Sequence, residues 1–165
     1  MVGAGEELRV FISVGHTLSS EQEQFLVRIE DLLRGQSIAP VTIGRTEQAN
    51  GAPLQTIQQV IKMTLGTIVL AFARLAIARA DEYPDTPFAA PVTQRIMPGI
   101  WNQIEAAMTV QAEHPLLILA QAGITYEGII RPTIHPVEAF VLAQQADELS
   151  GNVKHAILAW VQSLH

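Results

Sequence analysis

The stretch GIWNQIEAAM, residues 99–108, sets a tryptophan and a glutamate four positions apart in an apolar, helix-forming run. Residues at i and i+4 share a helix face, so Trp101 and Glu105 stand together, with Met108 continuing their stripe. Ile100, Ile104 and Ala107 make a second apolar stripe beside it. A helix apolar around so much of its circumference is expected to be mostly buried. Burial disfavours a charged carboxylate and raises its pKa, which suits Glu105 to a pocket and to acid–base or electrostatic work. Spacing alone leaves the plainer reading open, in which Glu105 is a solvated glutamate at the helix edge.

Other polar side chains fall where an apolar run ends. In SVGHTLSSEQ, Gly15 permits a tight turn, and the helix that follows offers backbone N–H groups to an anion. Ser13, His16 and Thr17 would add hydrogen bonds to a phosphate or a ribose. One glycine is neither a dinucleotide fingerprint nor a P-loop, and a serine-capped strand–helix turn explains the same residues. Arg45 and Arg74 also follow apolar runs, and guanidinium groups clamp phosphates well. A salt bridge to Glu47 or Asp81 would engage them instead. Tyr126 and Glu127, in GITYEG, line the same rim or simply make a turn. The five histidines, His16, His114, His135, His155 and His165, lack metal-ligand spacing, so no metal site is expected. No nucleophile elbow is present.

The elements that must carry these residues alternate in type. LRVFISV (8–14), TIVLAFA (67–73) and PLLILAQ (115–121) read as buried strands, and IAPVTIG (38–44) as a fourth despite Pro40. Residues 19–35 read as an amphipathic helix capped by Ser19 or Ser20 and closed by Gly35, with Phe25, Ile29, Leu32 and Leu33 inward. LQTIQQVIKMTLG (54–66) reads as a helix with Leu54, Ile57, Val60 and Ile61 inside, and residues 98–113 as another with Pro98 near its first turn. The segment 79–98, with four prolines, reads as a long irregular loop of the functional kind. HPVEAFVLAQQADEL carries no clear period, and NVKHAILAWVQSL closes the chain as an amphipathic helix. Strands alternating with helices imply a parallel, doubly wound α/β sheet in one domain, 1–165. Ligands of such sheets bind at the carboxyl ends of the strands. That rule gathers the turns after Val14, Ile43, Ala73 and Gln121 on one rim, beside the start of the 98–113 helix.

Composition narrows the partners. The 165 residues are 48% hydrophobic and 16% charged, enough for a sizeable core and too apolar for disorder. A net charge of −6 argues against nucleic-acid backbones and anionic membranes. The apolar run from Leu65 is broken by Arg74 and Arg79, so no membrane span is expected, and the first residues lack the pattern of a signal peptide. The absence of cysteine excludes disulfides and thiolate nucleophiles, and it fits a reducing cytoplasm.

Taken in order, three segments resemble a known family. RVFISV…EQEQFLVRIEDLLRGQ resembles the opening strand and helix of Toll/interleukin-1 receptor (TIR) domains. PLQTIQQVIKMTLGTIVLAFAR resembles their next helix and central strand, and GIWNQIEAAM…HPLLIL the helix with a Trp-x-x-x-Glu pair and the strand after it. The resemblance spans most of residues 8–120. It implies a flavodoxin-like, three-layer fold with a parallel central sheet. Enzymatic members cleave the N-glycosidic bond of NAD, and the related nucleoside 2-deoxyribosyltransferase-like proteins cleave that bond in nucleosides. By resemblance Glu105 is the catalytic carboxylate and Trp101 supports it, while Ser13, Gly15, His16 and Arg45 border a nucleotide pocket. NAD would be substrate, with no resident cofactor. Other members only assemble, so a non-catalytic binding or assembly module is the alternative, and a homo-oligomer is expected. After FIS the family has an aromatic residue and then an acidic one, whereas Val14, Gly15 and His16 stand here.

Overall fold

The structure is a computed structural model and describes residues 7–17, 19–48, 51–142 and 149–164. Five strands make one parallel sheet: β1 (Leu8–Ser13), β2 (Ile38–Val41), β3 (Thr67–Ala71), β6 (Leu116–Gln121) and β7 (Val137–Phe140). Their order is β2-β1-β3-β6-β7. Counting only these strands in chain order, that is 2-1-3-4-5, the flavodoxin-like arrangement. Four helices connect and cover them: α1 (Ser20–Gly35), α2 (Pro53–Lys62), α3 (Ile100–Gln111) and α4 (Gly151–Gln162).

Strand alternation sorts the core into two faces. Val10, Ile12, Ile68, Leu70 and Leu119 point to one side and pack with Phe25, Ile29 and Leu33 of α1 and Val153, Ile157 and Val161 of α4. Phe25, Phe72 and Phe140 close that side, with Phe25 and Phe140 stacked at 4.2 Å between ring centroids. The residues between point the other way. Phe11 and Val41 meet Ile57, Val60 and Ile61 of α2, while Val69, Ala71, Ile118 and Ala120 meet Ala106 of α3. This is the three-layer α/β fold expected. Ser13 is two residues beyond Phe11 on β1, so the same alternation turns it toward α3.

Several local expectations change. Residues 79–98 are not an irregular loop: β4 (Leu75–Glu82) and β5 (Ala90–Met97) pair antiparallel, from Leu75 opposite Met97 to Glu82 opposite Ala90. Pro84 and Pro87 fall in the turn between them and Pro98 just beyond, where proline is tolerated. Pro40 is likewise accommodated because β2 is an edge strand. The stretch beginning at His135 supplies β7, and residues 143–148 of it lie outside the described residues. Leu54, expected inside, is half exposed at the start of α2. Helix α3 is not mostly buried either, for Ile100, Trp101 and Val110 are exposed. It seats on the sheet through Asn102, Ala106 and Thr109, whose small or polar side chains allow close approach. Thr109 donates to the Glu105 carbonyl at 2.8 Å and shares a 2.9 Å hydroxyl hydrogen bond with Thr67 of β3.

Candidate functional site

Close seating of α3 brings Glu105 to the carboxyl end of β1. Ser13 is buried, and its hydroxyl donates a hydrogen bond to Glu105 Oε2. Asn102 lies one turn before Glu105 on the same face, and its Nδ2 donates to both the carbonyl and the hydroxyl oxygen of Ser13, each at 3.1 Å. The chain Asn102 → Ser13 → Glu105 thus fixes the carboxyl by a donor that is itself held. Burial pushes the Glu105 pKa up to about 7, opposed by the Ser13 hydrogen bond, which favours the charged form. Its partner is a neutral hydroxyl, and it forms no ion pair among the described residues.

Glu105 faces a cleft of about 360 Å³. Trp101 shares this cleft and is 46% exposed, so its ring stands at the opening rather than in the core. Gly15, His16 and Thr17, in the loop after β1, and Thr42, Ile43, Gly44 and Arg45, in the turn after β2, line its walls. Gly44 has φ +80°, a left-handed conformation that lets the chain turn sharply after β2. Gly15 has no such requirement: a Cβ there would meet open space, so the expected tight glycine turn is not what places it. A second cavity of about 230 Å³ lies across Gly15 and His16, lined also by Phe72, Arg74, Gly99 and Asn102.

The two predicted arginines differ. Arg45 lines the cleft, but its Nη1 donates to Glu23 at 2.7 Å and its Nε stands 3.1 Å from Glu30 Oε1. These partners are not the Glu47 or Asp81 expected from sequence, and Glu47 instead pairs with Arg9. Arg74 borders the second cavity, is exposed, and pairs with no carboxylate among the described residues. The start of α1 is capped and acidic, which disfavours an anion there. Ser19 accepts from Gln22 N at 3.2 Å, and Glu21 and Glu23 fill the first turn. Helix α3, by contrast, starts beside Arg74 with no side-chain cap and no acidic residue in its first turn.

No protein-family model matches the chain, and no curated protein matches it. Among solved structures, that of a Clostridium botulinum CMP N-glycosidase, BcmB, resembles it with 15% identity and a TM-score of 0.46, covering 93% of this chain and 98% of that chain. A likeness at that level carries no inference about chemistry, which rests on the side chains themselves.

The structure thus brings Ser13, Gly15, His16, Arg45, Trp101 and Glu105 to one cleft and sets Arg74 in the cavity beside it. Sequence reasoning missed Asn102. The signal present in the sequence was its place three positions before Glu105, on the same helix face. Recognising it required knowing that this face, and not the Trp101 stripe, seats on the sheet. No three His, Asp or Glu side chains gather as a metal would need among the described residues, and no described helix is long and apolar enough to cross a membrane.

Proposed function

We propose that this cleft cleaves the N-glycosidic bond of a nucleotide, NAD or a nucleoside monophosphate, with Glu105 as the catalytic carboxylate. The observation that supports this most is the half-buried Glu105 held by Ser13 and Asn102 beside the exposed ring of Trp101. Breaking a ribosyl–base bond places positive charge on the sugar, and a carboxylate oriented beside the ribose stabilises it. The bonding electrons leave with the base. A water oxygen then bonds to the anomeric carbon, and its proton passes to the carboxylate or to solvent. Nicotinamide departs from NAD as a neutral molecule and needs no proton, whereas the base of a nucleoside monophosphate leaves as an anion and takes up the proton that the water gives up, through the carboxylate or solvent.

Surrounding groups fit a nucleotide. Trp101 offers a π-face on which a base or nicotinamide ring stacks. Arg45 is already neutralised by Glu23 and Glu30, so the phosphate end of the substrate belongs on the other side of His16. There Arg74 and the uncapped start of α3 favour an anion. The ordered resemblance of segments across most of residues 8–120 to TIR domains, whose enzymatic members break this bond in NAD, points the same way. The test is to incubate purified protein with NAD and, separately, with nucleoside 5′-monophosphates of each base, and to separate products by chromatography. Free nicotinamide or free base supports the reading and identifies the substrate class. Saturable binding without product would instead favour a nucleotide-binding module.

A further inference from the structure

Glu23 is an acidic residue in the first turn of α1, outside the lining of the cleft, yet its carboxylate meets two of the loops that line it. Its Oε2 accepts from the Thr17 hydroxyl at 2.7 Å, and its Oε1 from Arg45 Nη1 at 2.7 Å. Thr17 belongs to the loop after β1, and Arg45 to the turn after β2. Behind Arg45 stands the buried Glu30, which Arg34 meets on its other oxygen at 3.3 Å. At its far end the same turn is anchored by the ion pair of Glu47 with Arg9. We propose that Glu23 is a positioning residue that sets the aperture of the cleft, by tying the two loops that form its walls to one carboxylate on α1.

Among the described residues, the backbone hydrogen bonds of the two segments do not join them to each other. Residues 14–17 lie outside regular structure after β1, and His16 is exposed. The turn after β2 holds itself together through Thr42, whose carbonyl accepts from the N–H groups of Arg45, Thr46 and Glu47. Nothing in that hydrogen bonding links it to the loop after β1. Glu23 supplies the link, and a charged acceptor makes both of its hydrogen bonds stronger than neutral ones. Thr17 first, and then Arg45, holds the Glu23 carboxyl below its ordinary pKa, so the tie persists through the neutral range. A ligand entering between His16 and Arg45 therefore meets walls of fixed separation.

The tie itself does not depend on the chemistry proposed for Glu105, whereas its effect on catalysis rests on that reading. The experiment is backbone 15N relaxation on the full chain, comparing wild type with Glu23→Ala and Thr17→Val. In wild type, residues 15–17 and 43–47 should show rigid order parameters, roughly 0.85. In Glu23→Ala both segments should fall toward roughly 0.6, with β3 and β6 unchanged. In Thr17→Val, where the Arg45 pair persists, residues 15–17 should loosen and 43–47 should not. Freedom in neither segment, in one alone for Glu23→Ala, or across the sheet as well would overturn the proposal. If Glu23→Ala does not fold, the Thr17→Val pattern decides. With any nucleotide that wild type turns over, Glu23→Ala should raise KM at least fivefold and change kcat less than twofold. Absence of turnover by wild type would count against the N-glycosidase reading, while the relaxation result would still judge Glu23.

Discussion

Two influences act on the Glu105 carboxyl in opposite directions, and their balance sets what it can do. Burial favours the neutral acid and the Ser13 hydroxyl favours the carboxylate, leaving a pKa of about 7. A group that must be ionised to stabilise a cationic sugar then gains activity as pH rises. The account predicts that kcat/KM climbs through an apparent pKa near 7 to a plateau. Ser13→Ala removes the hydrogen bond that favours the charged form. It should move that limb to higher pH and lower the plateau roughly tenfold to a hundredfold, the worth of a hydrogen bond to a charged group. A pH–rate profile of both proteins checks it. How much of this was legible differs by residue. Trp101 and Glu105 were visible as an i, i+4 pair, and Ser13 as the last polar residue of an apolar strand. The rule for parallel sheets brought both to one rim, but the hydrogen bond between Ser13 and Glu105 was not readable, because it depends on a strand from one end of the chain and a helix from its middle meeting at a set depth. The engagement of Arg45 was hidden for the same reason, since Glu23 and Glu30 lie on a helix that precedes it by a full strand.

At the scale of elements, strands with continuous apolar runs and helices with a clear period were readable because burial on both faces or on one face writes itself into the sequence. Helix α3 misled, because a small and polar face seats it while Ile100, Trp101 and Val110 stay exposed. The β4–β5 ribbon misled differently. Its prolines signalled a loop, yet most of them lie at its turn and margins. It stands apart from the main sheet, with Arg95 bonding Glu82 at 2.7 Å across its strands and Glu127 at 3.1 Å at its base. Near its tip Phe88 is 78% exposed, and a loop tip is where a protease first enters a folded chain. Brief chymotrypsin treatment is expected to cut first after Phe88, since Tyr83 is less exposed and the bond after it is shielded by Pro84. Mass spectrometry of the first fragments checks this, and initial cuts within the main sheet would contradict the assignment of the ribbon.

For the whole molecule, a carboxyl held at a raised pKa is a cost to folding as well as a device for function. The folded-state pKa of about 7 lies above the ordinary 4.5, so the folded protein keeps a proton that the unfolded chain has lost. Stability from this source is full below about pH 4.5 and falls away as pH rises through 7. The loss is at most about 3 kcal/mol, and partial exposure of Glu105 reduces it. Glu105→Gln cannot ionise, so its stability relative to wild type should improve between pH 5 and pH 8 by urea unfolding. An equal difference at both values would mean that the Glu105 carboxyl is not perturbed. Stability gained and activity lost in one substitution is the mark of a residue kept for chemistry. The most direct measurement is therefore base or nicotinamide release by wild type and Glu105→Gln, side by side, with folding of both verified by circular dichroism. The account predicts release by wild type and a fall of roughly 100-fold or more in a well-folded Glu105→Gln. Undiminished release by that variant would contradict it.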